Sequence, residues 1–372
     1  MEPGAMEAKR RCRKLMKKAP FKVMVVDDSA FMRKVLREII QQDSALEYVG
    51  MARNGRDALA KLKGLKPDVL TLDLEMPVLN GLDTLKIIMA ENPVPVVMVS
   101  SYTQKGSEMT IEALAAGAVD FIPKPSTWEG EQADEIRRLL PLKIKKAAGA
   151  RLQAIPFSDE PRVDVVEGEE QLERKGSPVV SRGMDRIVAI AASTGGPRAL
   201  EEVLKGLPAD LPAAVFITQH MPPRFTRSLA ERLDRVSQIK VKEASPGDEI
   251  RNGEVYVAPG GYHLLARHDG TIFLSNAVTV NHVRPSADVM MESVAEIFGA
   301  AVIGVVLTGM GRDGAAGMVR IKERGGRTIV QDPSSAVLSG MPRAVLQRDS
   351  ADEVLSLNRI AAAIVRILDE ER

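Results

Sequence analysis

Apolar and polar residues alternate in two distinct ways along the chain from Phe21 onward. Short runs rich in valine and isoleucine predict buried strands, and longer stretches with apolar residues every three or four positions predict amphipathic helices. In the first part, the predicted strands are 22–26, 68–73, 95–100 and 119–123, and the predicted helices are 29–42, 81–90 and 107–117. This alternation indicates a parallel sheet with helices on both faces.

A second series of strands and helices begins at Asp185. The predicted strands are 186–192, 213–219, 254–259, 263–268, 301–309 and 327–332, and the predicted helices are 197–207, 225–234 and 315–325. The expected fold class is therefore α/β, with two doubly wound parallel-sheet domains. In such domains, ligands bind beyond the carboxyl ends of the strands.

The segment between the two series, residues 141–183, lacks the alternation of strands and helices and predicts a linker. Residues 158–173 carry seven acidic side chains against one arginine, and residues 176–183 are rich in turn-forming residues. The expected organisation is a disordered basic tail over 1–20, a first domain over 21–140, a linker over 141–183 and a second domain over 184–372. For the basic tail, a nucleic-acid-binding or membrane-binding patch is the alternative interpretation.

Composition narrows the possible classes of protein. Lysine and arginine (51) nearly balance aspartate and glutamate (50), so the net charge of +1 favours neither nucleic acid nor an anionic membrane as a partner. A single cysteine, Cys12, excludes an intrachain disulfide and is typical of the cytoplasm. Because the chain has no apolar run of the roughly 18–20 residues that a span requires, we expect no membrane insertion.

Carboxylates, a lysine and a hydroxyl follow strands of the first predicted sheet. Asp27, Asp28 and Asp73 would bring three negative charges to one sheet edge, where a divalent cation such as Mg²⁺ would offset their repulsion. Lys124 and Ser100 could then hold an anionic group attached to a carboxylate. These residue types fit phosphoryl transfer to an aspartate, whereas helix capping is the alternative role for each acidic residue taken alone.

Three residues of the second domain also stand where predicted strands end. Ser193 opens a helix after a strand, His220 ends the next strand, and Asp313 lies in a glycine-rich loop after a third. Together they suggest a serine hydrolase, since such triads are recognised by geometry and role rather than by chain order. Each residue taken singly has another interpretation. Ser193 could stand in an N-capped turn or a phosphate-binding loop, His220 could be a structural histidine, and Asp313 could cap a helix after a turn. His263 and His268 fall in a predicted hairpin and are interpreted as surface residues.

The segments VVDDS, LTLDLEMPVLNG, MVSS and IPKP resemble, in order and spacing, the response-regulator receiver family over about 21–140. The resemblance implies a flavodoxin-like fold in which Asp73 accepts a phosphoryl group. It further implies that Asp28, Asp73 and the backbone carbonyl of Glu75 bind Mg²⁺, with Asp27 in the same acidic pocket. The resemblance also implies that Lys124 pairs with the phosphoryl group, that Ser100 is the switch hydroxyl and that Phe121 occupies the switch aromatic position.

The segments AASTGGP, TQHMPPRFTRSLAERL, VYVAPGGYHLL, VRPSADVM and VVLTGMGRDGAAGM resemble the catalytic domain of chemotaxis protein-glutamate methylesterases, over about 184–350. The resemblance implies a Rossmann-like domain with the triad Ser193, His220 and Asp313, and with the backbone N–H of Met310 as oxyanion donor. It also places Thr194 and His282 along the cleft.

The function expected from these resemblances is that of a phosphorylation-activated esterase. It would hydrolyse glutamate γ-methyl esters on methyl-accepting chemoreceptors, release methanol and also deamidate receptor glutamines. A histidine kinase would phosphorylate Asp73, and the esterase chemistry would need no cofactor. Two alternatives remain: a DNA-binding response regulator, which the strand-rich and near-neutral second domain disfavours, and an interaction module without catalysis.

Overall fold

The computed structural model describes residues 19–125, 127–152 and 186–370. The predicted tail up to residue 18 and the predicted linker from residue 153 to 183 lie outside these residues. The described residues fall into two compact units, 19–152 and 186–370. Among them, no helix is both long and apolar enough to cross a membrane.

The first unit is built on five parallel strands in the order β2-β1-β3-β4-β5. The strands are β1 (Phe21–Val26), β2 (Leu46–Ala52), β3 (Val69–Asp73), β4 (Val96–Ser100) and β5 (Asp120–Pro123). The helices are α1 (Ala30–Gln42), α2 (Gly55–Leu65), α3 (Gly81–Glu91), α4 (Gln104–Ala115) and α5 (Glu131–Ala147). All residues of β3 and β4 are buried, as expected of central strands covered on both faces.

Three features of this unit differ from the expectation or extend it. The strand β2 and the helix α2 were not predicted. Strand β2 lies at the edge of the sheet, and its mixed, half-exposed pattern gives no clear strand signal. Helix α5 contains Pro141 and continues to Ala147, so residues 141–147 of the predicted linker belong to this helix. The sheet order explains the site described below, because β1 and β3 are neighbours and β5 is reached through β4.

The second unit is built on seven parallel strands in the order β14-β13-β12-β6-β7-β9-β8. They are β6 (Ile187–Ala192), β7 (Ala214–Gln219), β8 (Lys240–Glu243), β9 (Glu254–Val257), β12 (Val302–Val306), β13 (Arg327–Gln331) and β14 (Glu353–Leu355). A separate antiparallel hairpin pairs β10 (His263–Ala266) with β11 (Ile272–Ser275). Doubly wound parallel sheets are thus confirmed for both domains, with this hairpin as an addition.

The helices of the second unit are α6 (Gly196–Lys205), α7 (Phe225–Val236), α8 (Ala287–Phe298), α9 (Ala315–Glu323), α10 (Gly340–Leu346) and α11 (Leu357–Glu370). Helix α8 was not predicted, although its buried residues recur at helical spacing and Glu292 and Glu296 lie on its exposed side. It is buried against the sheet, where its Met290 and Met291 join Met318 of α9 in the core. Methionine fills such irregular spaces in a domain with few aromatic residues.

Candidate functional site

Three aspartates and one lysine meet at the carboxyl edge of the first sheet. Asp27 follows β1, Asp73 ends β3, and Lys124 follows β5. The Lys124 Nζ lies 2.8 Å from Asp73 Oδ2 and 3.1 Å from Asp27 Oδ2. Asp27, Asp28 and Asp73 each offer an oxygen within 4.8 Å of the others, and only Asp28 is exposed. The structure therefore brings together the four charged residues that the sequence singled out.

The electrostatics of this pocket favour a cation. Burial raises the pKa of Asp73 to about 6, although the charge of Lys124 opposes the increase. Burial also raises the pKa of Asp27, against the same lysine. The Lys124 ammonium thus faces two buried carboxylates, and hard oxygen donors with an open side are what Mg²⁺ prefers. The residues present fit that ion.

A side chain that the sequence reasoning missed orients the acidic turn. Arg33, on the first turn of α1, donates from Nη1 to the carbonyl oxygens of Asp27 and Asp28, both at 2.8 Å. The backbone N–H of Ser29 donates to Asp27 Oδ1 at 2.9 Å. Glu75 is exposed and lies two residues beyond β3, with its backbone bonded to the Asp73 carboxylate. These contacts hold the loop over the sheet edge.

The two switch candidates occupy the neighbouring strands. Ser100 ends β4 and is buried, and its hydroxyl accepts from Thr110 Oγ1 at 2.7 Å and donates to the Gly106 carbonyl at 3.1 Å. Both partners belong to α4, so the hydroxyl is engaged with that helix. Phe121 is buried in β5, with the ammonium of Lys143 lying 5.7 Å from its ring centre.

The second group of candidate residues lies at the carboxyl ends of the central strands of the larger sheet. In the register of β6 and β7, Ala192 pairs with Gln219, so Ser193 and His220 are the next residues of adjacent strands. The His220 N–H donates to the Ala192 carbonyl at 3.2 Å, and the Ser193 N–H donates to the carbonyl of Thr308, beyond β12, at 3.0 Å. Neighbouring strands are about 4.8 Å apart, which brings these residues side by side.

Asp313 reaches this edge from the loop before α9 and is buried. His220 Nε2 donates to its Oδ2 at 2.7 Å, Ser286 Oγ to its Oδ1 at 2.7 Å, and the Ala287 N–H to its Oδ2 at 2.6 Å. Burial favours a higher pKa, but the bonds from His220, Ser286 and Ala287 outweigh it and lower the pKa of Asp313 to about 2. An ionised acceptor holds the proton on Nε2, so Nδ1 is the basic nitrogen of His220.

The loop after β6 depends on glycines because the backbone is crowded. The Ser193 carbonyl accepts from the Gly196 N–H at 2.7 Å and from Gln219 Nε2 at 3.0 Å. A Cβ on Gly196 would lie 2.0 Å from Gln219 Oε1, and Gly195 has a φ of +78°. A Cβ on Gly309 would lie 2.9 Å from the Ser193 Cβ. Side chains at these positions would clash with Ser193 itself or with residues packed around its loop.

The other candidates implied by the methylesterase resemblance are placed as follows. Met310 is partly exposed and follows Gly309, the residue that approaches Ser193. The Thr194 carbonyl accepts from Thr308 Oγ1 at 3.0 Å. His282 is exposed and has a φ of +64° in the segment that precedes α8.

The interpretation of His263 as a surface residue is wrong. Its ring is 1 % exposed, Nε2 donates to the Val278 carbonyl at 3.1 Å, and Nδ1 accepts from the Ser286 N–H at 3.1 Å. His268 is exposed, as expected. Hydrophobic periodicity does not locate these two partners, because Val278 and Ser286 lie in a segment without regular structure. The sequence signal nearest to them is the segment VRPSADVM, which contains Ser286.

Two known families match the two units. The CheB methylesterase family matches residues 188–364, and the response regulator receiver domain matches residues 23–131. The chain is 48% identical to a protein-glutamate methylesterase/protein-glutamine glutaminase of Symbiobacterium thermophilum, over 94% of this chain and 98% of the relative. It is 46% identical to a protein of the same name from Pyrococcus horikoshii, over 94% of each. Among solved structures, the CheB methylesterase catalytic domain of Thermotoga maritima is 42% identical and covers 49% of this chain and 98% of its own, with a TM-score of 0.48.

Proposed function

Since the chain belongs to the family of protein-glutamate methylesterases/protein-glutamine glutaminases, with a receiver domain in front, we propose that Ser193, His220 and Asp313 form its catalytic triad. The protein is accordingly a hydrolase of the methylesterase type and a response regulator. The observation that carries the triad is the 2.7 Å bond from His220 Nε2 to the buried Asp313, at the strand end adjacent to Ser193. The proposed substrates are glutamate γ-methyl esters on methyl-accepting chemoreceptors.

In the proposed reaction, the Ser193 hydroxyl attacks the γ-carbonyl carbon while its proton passes to His220 Nδ1. Methanol then leaves with that proton, and an acyl-serine ester remains. Water attacks this ester with the same base, which frees the glutamate carboxyl and returns the proton to Ser193. Asp313 holds the imidazole by its Nε2–H and stabilises the positive charge that forms on it. A glutamine amide follows the same route and releases ammonia.

The developing oxyanion needs donors fixed before reaction. We assign this role to the backbone N–H of Met310, because this residue follows Gly309, where a Cβ would lie 2.9 Å from the Ser193 Cβ. The amino end of α6, which begins at Gly196, adds the positive end of its dipole. Thr194 and His282 are the proposed lining of the cleft. The proposed esterase reaction uses no metal ion.

In the receiver domain, Asp73 is the proposed phosphoryl acceptor and a histidine kinase the proposed donor. Mg²⁺ would be held by Asp28, Asp73 and the backbone carbonyl of Glu75, with Asp27 nearby, and would offset negative charge during transfer. Lys124, already 2.8 Å from Asp73, would pair with the phosphoryl group. The proposed switch residues are Ser100 and Phe121.

We place the end of the receiver domain at Ala147 rather than at the expected residue 140, because α5 continues to Ala147. The proposed linker then runs from there to residue 183, and the proposed methylesterase domain covers 184–372. The proposed place of action is the cytoplasm, and the single cysteine of the chain is in keeping with it.

The test measures methanol release from methylated receptor with and without a small phosphodonor such as acetyl phosphate. We expect the donor to accelerate the wild-type protein and leave Asp73→Asn at the basal rate, while Ser193→Ala shows no release under either condition. Release that survives Ser193→Ala would refute the triad. A donor effect that survives Asp73→Asn would refute the phosphorylation site but leave the triad intact.

A further inference from the structure

Two buried carboxylates of the methylesterase domain, Asp288 and Asp313, accept hydrogen bonds from the first N–H groups of helices α9 and α8, respectively. Asp288, in the first turn of α8, accepts from the N–H groups of Ala316 and Gly317 at the start of α9, both at 2.9 Å. Asp313, in the loop before α9, accepts from the N–H groups of Ala287 and Asp288 at the start of α8, at 2.6 and 3.3 Å. Each helix thus has otherwise unpaired N–H groups satisfied by an anion that comes from the other.

One amide joins the two carboxylates. Asn281 Nδ2 donates to Asp288 Oδ2 at 2.8 Å and to Asp313 Oδ1 at 3.0 Å, so its two protons serve two anions. Its backbone has a φ of +53°, a conformation that asparagine tolerates better than most residues. Arg312 Nε in turn donates to Asn281 Oδ1 at 3.3 Å, which fixes the direction of the amide.

Burying the Asp288 carboxylate beside Asp313 costs free energy, and capping of helix α9 alone would not require a buried charge. The residue is 6 % exposed and lies beside a second buried carboxylate. Burial raises the pKa of Asp288, the charge of Asp313 adds to the increase, and the bonds from Gly317 and Asn281 oppose it. An exposed serine or asparagine would cap α9 without this repulsion.

We propose that Asp288 and Asn281 are positioning residues for the triad, which hold Asp313 Oδ2 in line with His220 Nε2. They act through Asp313 and touch no reacting atom, and the inference rests on the proposed function of the triad. If the bridge is lost, the two carboxylates repel each other directly, and the loop 309–314 that carries Asp313 and Met310 moves relative to the ends of the strands. A displacement of about 1 Å at such a site lowers the rate roughly 100-fold.

The first variant is Asp288→Asn in the full-length protein, assayed by methanol release from methylated receptor. The asparagine oxygen still caps α9, but its NH₂ group faces the NH₂ group of Asn281, so the bridge is broken. We expect kcat to fall roughly 10–100-fold with KM within about twofold, because the residue is buried away from substrate.

A loss confined to kcat distinguishes positioning from a structural role, because a general disruption of helix α8 would also raise KM or lower the stability of the domain. Glu292→Gln removes one charge from the exposed side of the same helix and serves as the matched control, with kcat within about twofold of wild type.

Asn281→Gly covers the case in which Asp288→Asn does not fold, because glycine adopts the positive φ without strain. This variant removes the amide and keeps both carboxylates, and we expect the same fall in kcat. Wild-type kcat in the two variants would overturn the positioning role. Ser193→Ala, run in parallel, separates this outcome from failure of the triad itself, because activity that survives it would refute the proposed function instead.

Discussion

The replacement Asp313→Asn tests the role of the triad carboxylate most directly. In the wild type, Oδ2 accepts from His220 Nε2 and from the Ala287 N–H, while Oδ1 accepts from Ser286 and Asn281. An asparagine has one oxygen and one NH₂ group in place of the two carboxylate oxygens. Its NH₂ group therefore faces either the donors to Oδ2 or the donors to Oδ1, and cannot accept a hydrogen bond from them. If the NH₂ group takes the place of Oδ2, His220 keeps its contact only by moving its proton to Nδ1, where a base is needed.

The magnitude follows from this tautomer and from the lost charge. A triad histidine held in the wrong tautomer lowers kcat roughly 10⁴-fold, so we expect Asp313→Asn to retain slightly more activity than Ser193→Ala. The fall of the Asp313 pKa from 3.8 to about 2 stabilises the folded domain by about 2 kcal/mol at neutral pH. Its removal should lower the unfolding temperature by about 4–8 °C for a domain of this size.

The pH dependence of this stability has a definite sign. Because the pKa of Asp313 is lowered on folding, its contribution is complete above the unfolded value of 3.8 and is lost as the pH falls toward about 2. The difference in free energy of unfolding between wild type and Asp313→Asn should therefore shrink over that range in acid and urea titrations. Methanol release within tenfold of wild type, or a stability difference that grows toward low pH, would refute the reasoning.

Three further predictions concern other parts of the molecule. Ser193→Ala and His220→Ala should each abolish methanol release, and the double variant should be no slower, since the two residues serve one step; multiplicative losses would contradict this. EDTA should block phosphorylation of Asp73 from acetyl phosphate and leave basal methanol release unchanged, and Mg²⁺ binding measured by calorimetry should weaken as the pH falls below about 6, where Asp73 takes up a proton. His263→Phe replaces the imidazole by an apolar ring and leaves the Ser286 N–H and the Val278 carbonyl without their partner, so urea unfolding should show a loss of about 1–3 kcal/mol; an unchanged stability would show that these groups find other partners.

Local pattern was sufficient wherever a strand ran directly into a chemically distinctive residue. Asp73, His220 and Ser193 each stand at the end of a run of buried apolar residues, and a parallel sheet carries all its strand ends to one edge. Strand β2 escaped prediction because it is a half-exposed edge strand with a mixed pattern. Helices α8 and α11 were also not predicted, although each has a regular buried face.

The amino-acid sequence by itself determined the α/β class, the two series of strands and the identity of the residues at their ends. Only the tertiary structure decided how those residues are supported, because His263, Asn281 and Asp288 act through hydrogen bonds to residues distant in the chain or in other elements. Such bonds depend on where irregular backbone passes in space, and neither hydrophobic periodicity nor residue type encodes that path. The pKa shifts are likewise a property of the packed domain: burial would raise the pKa of Asp313 but its hydrogen-bond donors lower it, and burial raises the pKa of Asp288.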